Sequence, residues 1–254
     1  MMQVWNSIAA WQQRRASMGN ATIGVVPTMG ALHQGHTSLV ERCRAENDIA
    51  VVTIFINPTQ FNDPKDLDRY PRTYEQDLEI LRHCLVDDVL APSASEMYPH
   101  GYRYRIEPRE TAAIMEAAHR PGFLEGVMTV VMKLLNLVRA HRAYFGEKDF
   151  QQLRTVREMV EEFFVPTEIV PCPTIRTAAG LAESSRNRLL SAQALEVAPA
   201  LFRILSTARS AADARAQLEA AGLQPEYVEE HWGRRLAAVY LEGVRLIDNV
   251  ALPE

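Results

Sequence analysis

The run Ile49-Ala50-Val51-Val52-Thr53-Ile54-Phe55-Ile56 limits the possible folds more than any other stretch of the chain. It is almost wholly apolar, rich in β-branched residues, and has no polar face to turn towards water. A strand of that kind must be covered on both sides, the condition met in parallel sheets with helices on each face. Shorter β-rich runs recur at Thr22–Val26, at Val86–Ala91 before Pro92, at Ala143–Phe145 and at Thr167–Val170. Helically spaced apolar residues lie between them. Residues 1 to 20 read as a helix with Val4, Ile8, Trp11 and Met18 as its stripe, and another runs from about His36 through Leu39, Val40 and Cys43. Asp66–Arg72 stays polar, and Thr73-x-x-Gln76 then has capping-box form ahead of Leu78, Leu81 and Leu85. Pro108–Ala118, Phe123–Val138 and Phe150–Phe163 complete the helical set.

Strands alternating with helices predict an α/β fold built on a doubly wound parallel sheet. After Pro171 and Pro173 the pattern changes. A helix over Ala192–Arg209, a second over Ala211–Ala221 and a hairpin of Ala237–Leu241 and Val244–Val250 turning at Glu242-Gly243 predict a small α+β domain. The expected boundaries are 1–174 and 175–254. Ligands of doubly wound sheets bind outside the carboxyl ends of the strands. That draws attention to the loops at 27–36, 57–62 and 146–149.

A net charge of −5 and the lack of a basic tract argue against a nucleic-acid partner. No apolar run approaches the roughly 18–20 residues that span a bilayer. Met1-Met2-Gln3-Val4-Trp5-Asn6 lacks the layout of a signal peptide. Cys43, Cys84 and Cys172 are odd in number and form no C-x-x-C, which suits a reducing cytoplasm. Lysine is scarce: Lys65, Lys133 and Lys148 are the only three among 27 basic residues, so each is a candidate for a specific task.

The most chemically loaded stretch is Pro27-Thr28-Met29-Gly30-Ala31-Leu32-His33-Gln34-Gly35-His36. It joins a strand to a helix, with His36 in or near the first helical turn. Unpaired N–H groups and the helix dipole make such a corner an anion site. Two surface histidines, or half of a metal site, are the other readings of H-x-x-H. H-E-x-x-H spacing is absent and no cysteine lies nearby, which disfavours zinc. Neither G-x-G-x-x-G nor the Walker A pattern is present.

Four segments, Pro27–His36, Asn57–Phe61, Gly146–Gln152 and Ser184–Asn187, together resemble the pantothenate synthetase (pantoate–β-alanine ligase) family of the HxGH nucleotidyl-transferase superfamily. Asp66–Thr73, Arg120-Pro121-Gly122, Gly126 with Thr129-Val130-Val131, and Leu246-Ile247-Asp248-Asn249 extend the resemblance over nearly the whole chain. It implies a Rossmann-like domain, a small C-terminal lid, commonly a homodimer, and Mg2+ with ATP as co-substrate. It also implies a two-step reaction in which the carboxylate of pantoate attacks the α-phosphate of ATP, and the amine of β-alanine then displaces AMP from pantoyl adenylate. An anion meeting a triphosphate needs cations and N–H donors already in place.

By position, the resemblance makes His33 and His36 phosphate ligands, with His36 protonating the departing pyrophosphate. Met29, Gly30, Gly146, Lys148, Asp149, Ile175, Glu183, Ser184, Ser185 and Arg186 fall at nucleotide positions, and Lys148 and Arg186 join the histidines as catalytic candidates. Gln60 and Gln152 fall at pantoate positions, with Asn57 and Arg120 as helpers; no protein ligand to the metal is implied. Asp149 with Gln152 also has the shape of a helix cap, Ser184-Ser185-Arg186-Asn187 could cap a helix, and Asn57-Pro58 could be an ordinary turn. Phe123-Leu124 departs from the usual His-Phe, where a repacked wall is expected. Glu183 replaces the usual Met or Leu; at about 6 Å from a phosphate its carboxylate would cost roughly 3 kcal/mol at an effective dielectric near 20. The alternatives are an adenylyl transferase acting on a phosphorylated acceptor and a catalytically silent nucleotide-binding homologue.

Overall fold

The structure is a computed structural model that describes residues 1–109 and 113–253. Two compact units emerge, Met1–Gly146 with Gln151–Cys172, and Glu147–Phe150 with Pro173–Glu254.

The first unit contains β1 (Gln3–Trp5), α1 (Ile8–Ser17), β2 (Ile23–Thr28), α2 (Gln34–Glu46), β3 (Ile49–Ile54), α3 (Pro64–Arg69), α4 (Tyr74–His83) and β4 (Asp88–Leu90). It continues with α5 (Ala94–Met97), α6 (Met115–His119), α7 (Phe123–Val138), β5 (Arg142–Gly146), most of α8 (Phe150–Glu162) and β6 (Glu168–Cys172). The sheet runs β1-β4-β3-β2-β5-β6 and every pairing is parallel. From β2 the chain steps outward through β3 to β4, then returns to the other flank for β5 and β6. Strand order therefore reverses between β2 and β5, the place where such sheets hold their ligands. Consecutive residues Val25 and Val26 on β2, and Val51 and Val52 on β3, are all fully buried, so both faces of the sheet are covered.

The amino terminus corrects the first expectation. Residues 1 to 20 are not one helix, because Gln3–Trp5 pair with Asp88–Leu90 as an edge strand. The Trp5 indole donates to Asp88 Oδ1 at 2.7 Å and Arg14 on α1 engages the same fully buried carboxylate. Tertiary pairing overrides the helical spacing here. Asp66–Arg72, read from the sequence only as a polar stretch, largely forms α3, started by Asp63 (its side chain accepts from Lys65 N) and Pro64. Thr73 stands at the cap position of α4, but makes no cap bond; its hydroxyl donates instead to Asp77 Oδ2 at 3.1 Å. Over Pro108–Ala118, α-helix among the described residues begins only at Met115, and 110–112 lie outside them.

The second unit comprises a 3₁₀ turn at Glu147–Asp149, another at Ser185–Leu189, α9 (Ala192–Val197), α10 (Ala200–Thr207), α11 (Ala211–Ala220) and an antiparallel sheet. Its strands β7 (Gln224–His231), β8 (Arg234–Leu241) and β9 (Val244–Ala251) lie in that order. Glu242 and Gly243 turn the expected hairpin with positive φ at both positions, as a tight two-residue loop requires. The helix expected over 192–209 is broken at Pro199, which has no N–H to continue the ladder. Strand β7 falls outside the expected elements, since its Glu-rich sequence and Pro225 do not read as a strand. It is an edge strand with a register shift between Pro225 and Tyr227, the setting in which proline and charge are tolerated.

Candidate active site

Strand β2 ends at Thr28, whose hydroxyl donates to Thr53 O at 2.6 Å and accepts from Gly30 N at 3.2 Å. The chain then turns around a buried carboxylate. Asp77 of α4 is 2% exposed and accepts from Ala31 N at 2.9 Å and Leu32 N at 2.8 Å, in addition to the Thr73 hydroxyl. Gly30 has φ +78°, and a Cβ there would stand 2.9 Å from Asp77 Oδ2, so glycine is needed for both conformation and space. Met29 is half-buried beside it. Three groups from α4 and the loop thus set the entry to α2.

His33 is the N-cap of α2, and its Nδ1 accepts from Gly35 N at 3.1 Å. An imidazole nitrogen that accepts carries no proton, so this bond holds His33 as the neutral Nε2–H tautomer. His36 is the third residue of the same helix, and the two rings lie with centroids 4.1 Å apart, tilted by 45°. The corner therefore sets two imidazoles side by side at the positive end of a 13-residue helix.

A second set in this unit lies after β3. Asn57 is 1% exposed, and fixed partners settle the orientation of its amide. Its Oδ1 accepts from Thr59 N, from the Thr59 hydroxyl and from Tyr98 OH at 2.8 Å, while its Nδ2 donates to Gly126 O at 3.1 Å and to Gln60 Oε1 at 3.0 Å. With Oε1 of Gln60 so occupied, its Nε2 is the end left to donate. Asn57 also begins a 3₁₀ turn over Pro58–Gln60, so the turn reading of Asn57-Pro58 holds as well. Burial raises the Tyr98 phenol above its ordinary range, keeping it a donor. Lys133 donates to Met97 O at 2.7 Å and sits over the Tyr98 ring, which gives this scarce lysine a supporting task. Helix α7 approaches the turn through Gly126, where a Cβ would meet Thr59 O at 2.5 Å.

Arg120 donates to Gln60 O at 3.4 Å and pairs with Glu116. Its guanidinium lies 3.8 Å over the centroid of the buried Phe123 ring. Phe123, where a repacked wall is expected, is a stacking platform for Arg120. Gln152, in the first turn of α8, is half-buried, and Gly146 ends β5.

The other candidates belong to the second unit. Lys148 lies in the 3₁₀ turn 147–149, with Nζ 3.4 Å from Asp149 Oδ2. Because that turn runs directly into α8, Asp149 lacks the extended backbone of an N-cap, which removes the capping-box reading with Gln152. Ile175 and Glu183 are joined through Glu183 N donating to Ile175 O at 2.9 Å. The Ser184 side chain accepts from Arg186 N at 3.3 Å, so the capping reading of this segment is realised in a 3₁₀ helix. Ser185 is buried, Arg186 is half-buried, and Asn187 donates to Ala182 O.

The first unit thus carries Met29, Gly30, His33, His36, Asn57, Gln60, Arg120, Gly146 and Gln152, and the second carries Lys148, Asp149, Ile175, Glu183, Ser184, Ser185 and Arg186. Asp77 and Tyr98 escape a reading of the sequence: Asp77 is hidden in an amphipathic helix, where only its spacing from Thr73 hints at a contact. Among the described residues, no group of three or more His, Cys, Asp or Glu side chains could hold a metal ion. No helix among them is long and apolar enough to cross a membrane.

A doubly wound parallel sheet with a histidine-capped helix at its switch point defines a Rossmann-like protein equipped to hold an anionic ligand. The family described as pantoate-beta-alanine ligase matches residues 2–251, and the chain belongs to it. The pantothenate synthetase of Bdellovibrio bacteriovorus is 48% identical over 252 residues, covering 99% of this chain and all of the relative. That of Legionella pneumophila is 44% identical over the same span and coverage. The pantoate-beta-alanine ligase of Francisella tularensis, solved in complex with beta-gamma ATP and beta-alanine, superposes with TM-score 0.94 at 40% identity, covering 99% of this chain and 98% of that one. The Thermus thermophilus pantothenate synthetase structure gives 0.91 at 39% identity, with 99% and 100% covered.

Proposed function

We propose that this chain condenses pantoate with β-alanine at the expense of ATP, through pantoyl adenylate. The observation that carries the reading is the β2–α2 corner, with His33 held as a neutral donor beside His36, in a chain that belongs to the ligase family from residue 2 to 251.

In the first step a carboxylate oxygen of pantoate bonds to the α-phosphorus and the bond to the pyrophosphate oxygen breaks. His33 offers Nε2–H to a phosphate oxygen at no cost in protonation, because its other nitrogen is already committed to Gly35. His36 supplies the proton that the departing pyrophosphate takes. Lys148 and Arg186 contribute fixed positive charge to phosphate oxygens, and Met29, Gly30, Gly146, Asp149, Ile175, Glu183, Ser184 and Ser185 shape the nucleotide site. Donors set in advance are worth most where charge builds up. Gln60 donates from Nε2 to pantoate, oriented by Asn57; Gln152 is its companion, and Arg120 backs the Gln60 carbonyl. In the second step the neutral amine nitrogen of β-alanine bonds to the acyl carbon, AMP leaves with the bonding pair, and the nitrogen gives up one proton to solvent.

Mg2+ fits as a companion of the triphosphate and not as a resident of a protein cage. The groups offered by the chain are mainly imidazoles, N–H groups, serine hydroxyls, an ammonium and a guanidinium; the carboxylates of Asp77 and Asp149 face N–H donors and Lys148, and the one carboxylate that remains at the nucleotide positions, Glu183, is too few for a cage. Magnesium bound through substrate phosphates and water neutralises their charge. Family resemblance further supports a cytoplasmic homodimer, for which light scattering should return twice the 28.6 kDa chain mass.

The deciding assay is exchange of labelled pyrophosphate into ATP, dependent on pantoate and independent of β-alanine. Exchange is expected. Its absence in folded protein that binds ATP would overturn the reading.

A further inference from the structure

Asp248 and Asn249 lie on β9, far along the chain from every nucleotide candidate, yet both are almost fully buried. Asn249 Nδ2 donates to two consecutive carbonyls, Glu147 O and Lys148 O, each at 2.9 Å. Its Oδ1 accepts from Arg234 Nε at 2.6 Å, and its own backbone N–H is taken by Asp248 Oδ1 at 2.8 Å. Arg234 also lies over the Phe150 ring, at 4.6 Å from its centroid. The turn 147–150 is therefore gripped at its carbonyls and at its last side chain by neighbouring strands of one sheet.

Those two carbonyls belong to the peptide planes on either side of the Lys148 Cα. Fixing both planes fixes φ and ψ of that residue, and with them the direction in which its side chain leaves the backbone. Asp248 does a parallel job for the nucleotide segment that follows. Its carboxylate pairs twice with Arg176, at 2.5 and 2.8 Å, and Arg176 also donates to Gly180 O and stacks on Phe202 at 3.7 Å. That pins the turn between Ile175 and Glu183. Adjacent residues of one strand thus brace two separate sets of nucleotide candidates.

We propose that Asn249 is a positioning residue for the adenylation step, acting through Lys148. The proposal rests on the role given to Lys148 above. Misplacing a catalytic group by about 1 Å can cost on the order of 10²-fold in rate. Asn249→Asp keeps the size and the Arg234 contact but removes both donors. We expect it to lower the kcat of pyrophosphate exchange by roughly 10- to 100-fold, while β-alanine attack on preformed pantoyl adenylate stays within about threefold of wild type, the smaller change expected of a step that makes no use of Lys148.

The decisive comparison is the double variant. Residues that act as one unit are strongly non-additive, so Asn249→Asp with Lys148→Ala should exchange no more slowly than Lys148→Ala alone. Multiplying effects, or wild-type exchange in folded Asn249→Asp, would overturn the proposal. If Asn249→Asp does not fold, Asn249→Ser, which keeps a single donor, carries the same cycle. Wild-type exchange in Lys148→Ala would mean that the role of Lys148 itself is wrong, and absent exchange in the wild-type enzyme would mean that the reaction is; either result is separate from a failure confined to Asn249.

Discussion

Replacing Asp77 by Asn tests whether the histidine corner is set from beneath. The carboxylate accepts from Ala31 N, Leu32 N and the Thr73 hydroxyl, all on or under the loop that precedes α2. An amide of the same shape retains one oxygen. Whichever way it flips, an NH2 then faces a main-chain N–H, in a place where Ala31 and Leu32 are at most 1% exposed. One charge-assisted bond is lost and two donors are opposed, a cost of about 1.5–3 kcal/mol. For a chain of this size that is a fall in Tm of roughly 3–12 °C, at about 2–4 °C per kcal/mol. The loop should yield before the sheet does, carrying His33 with it, so KM for ATP should rise or exchange kcat fall by about 10- to 100-fold. Thermal unfolding followed by circular dichroism, with exchange measured across ATP concentrations, gives both numbers. A Tm within about 1 °C of wild type would refute the energetic reasoning. A lowered Tm with unchanged ATP dependence would show that Asp77 staples the fold without setting the site.

His36→Ala should stay folded with a Tm near wild type and lose at least about 10²-fold in exchange rate, the scale for one preorganised donor; near-normal activity would contradict its role. Gly126→Ala places a methyl carbon 2.5 Å from Thr59 O, so it should raise KM for pantoate more than for ATP by displacing Asn57 and Gln60; equal changes in both would count against that route. Burial pushes the Cys43 thiol up to about 12. The stability that this thiol contributes is therefore complete below its unfolded pKa near 9 and is lost as pH climbs towards 12. Denaturant titrations across that interval should show wild type declining more steeply than Cys43→Ala, by about 1.4 kcal/mol per pH unit.

Most of the sheet was legible because doubly covered strands leave a pattern that little else produces: Ile49–Ile54 could be read almost to the residue. Elements held by tertiary pairing were not. Val4 and Trp5 have helical spacing with Ile8, and only the distant Asp88 makes them a strand. Strand β7 carries glutamates that solvent and Arg245 accept at a sheet edge, a circumstance its own sequence does not announce. In the candidate site, His33, His36 and Lys148 are proposed from motif and residue type. Their supports were not legible, since Asp77, Tyr98 and Asn249 are ordinary residues in ordinary elements, and only their partners make them matter.

The short passage 147–150 groups with the C-terminal portion although in the chain it runs from the end of β5 into the first residue of α8. Consequently the molecule cannot be divided by one cut. A fragment ending near residue 174 would retain the lysine while discarding what shapes its backbone, and grafting a foreign C-terminal portion would have to recreate the same amide-to-carbonyl fit. Modular exchange of the two portions is therefore constrained by four residues that belong, physically, to the half they do not adjoin in sequence.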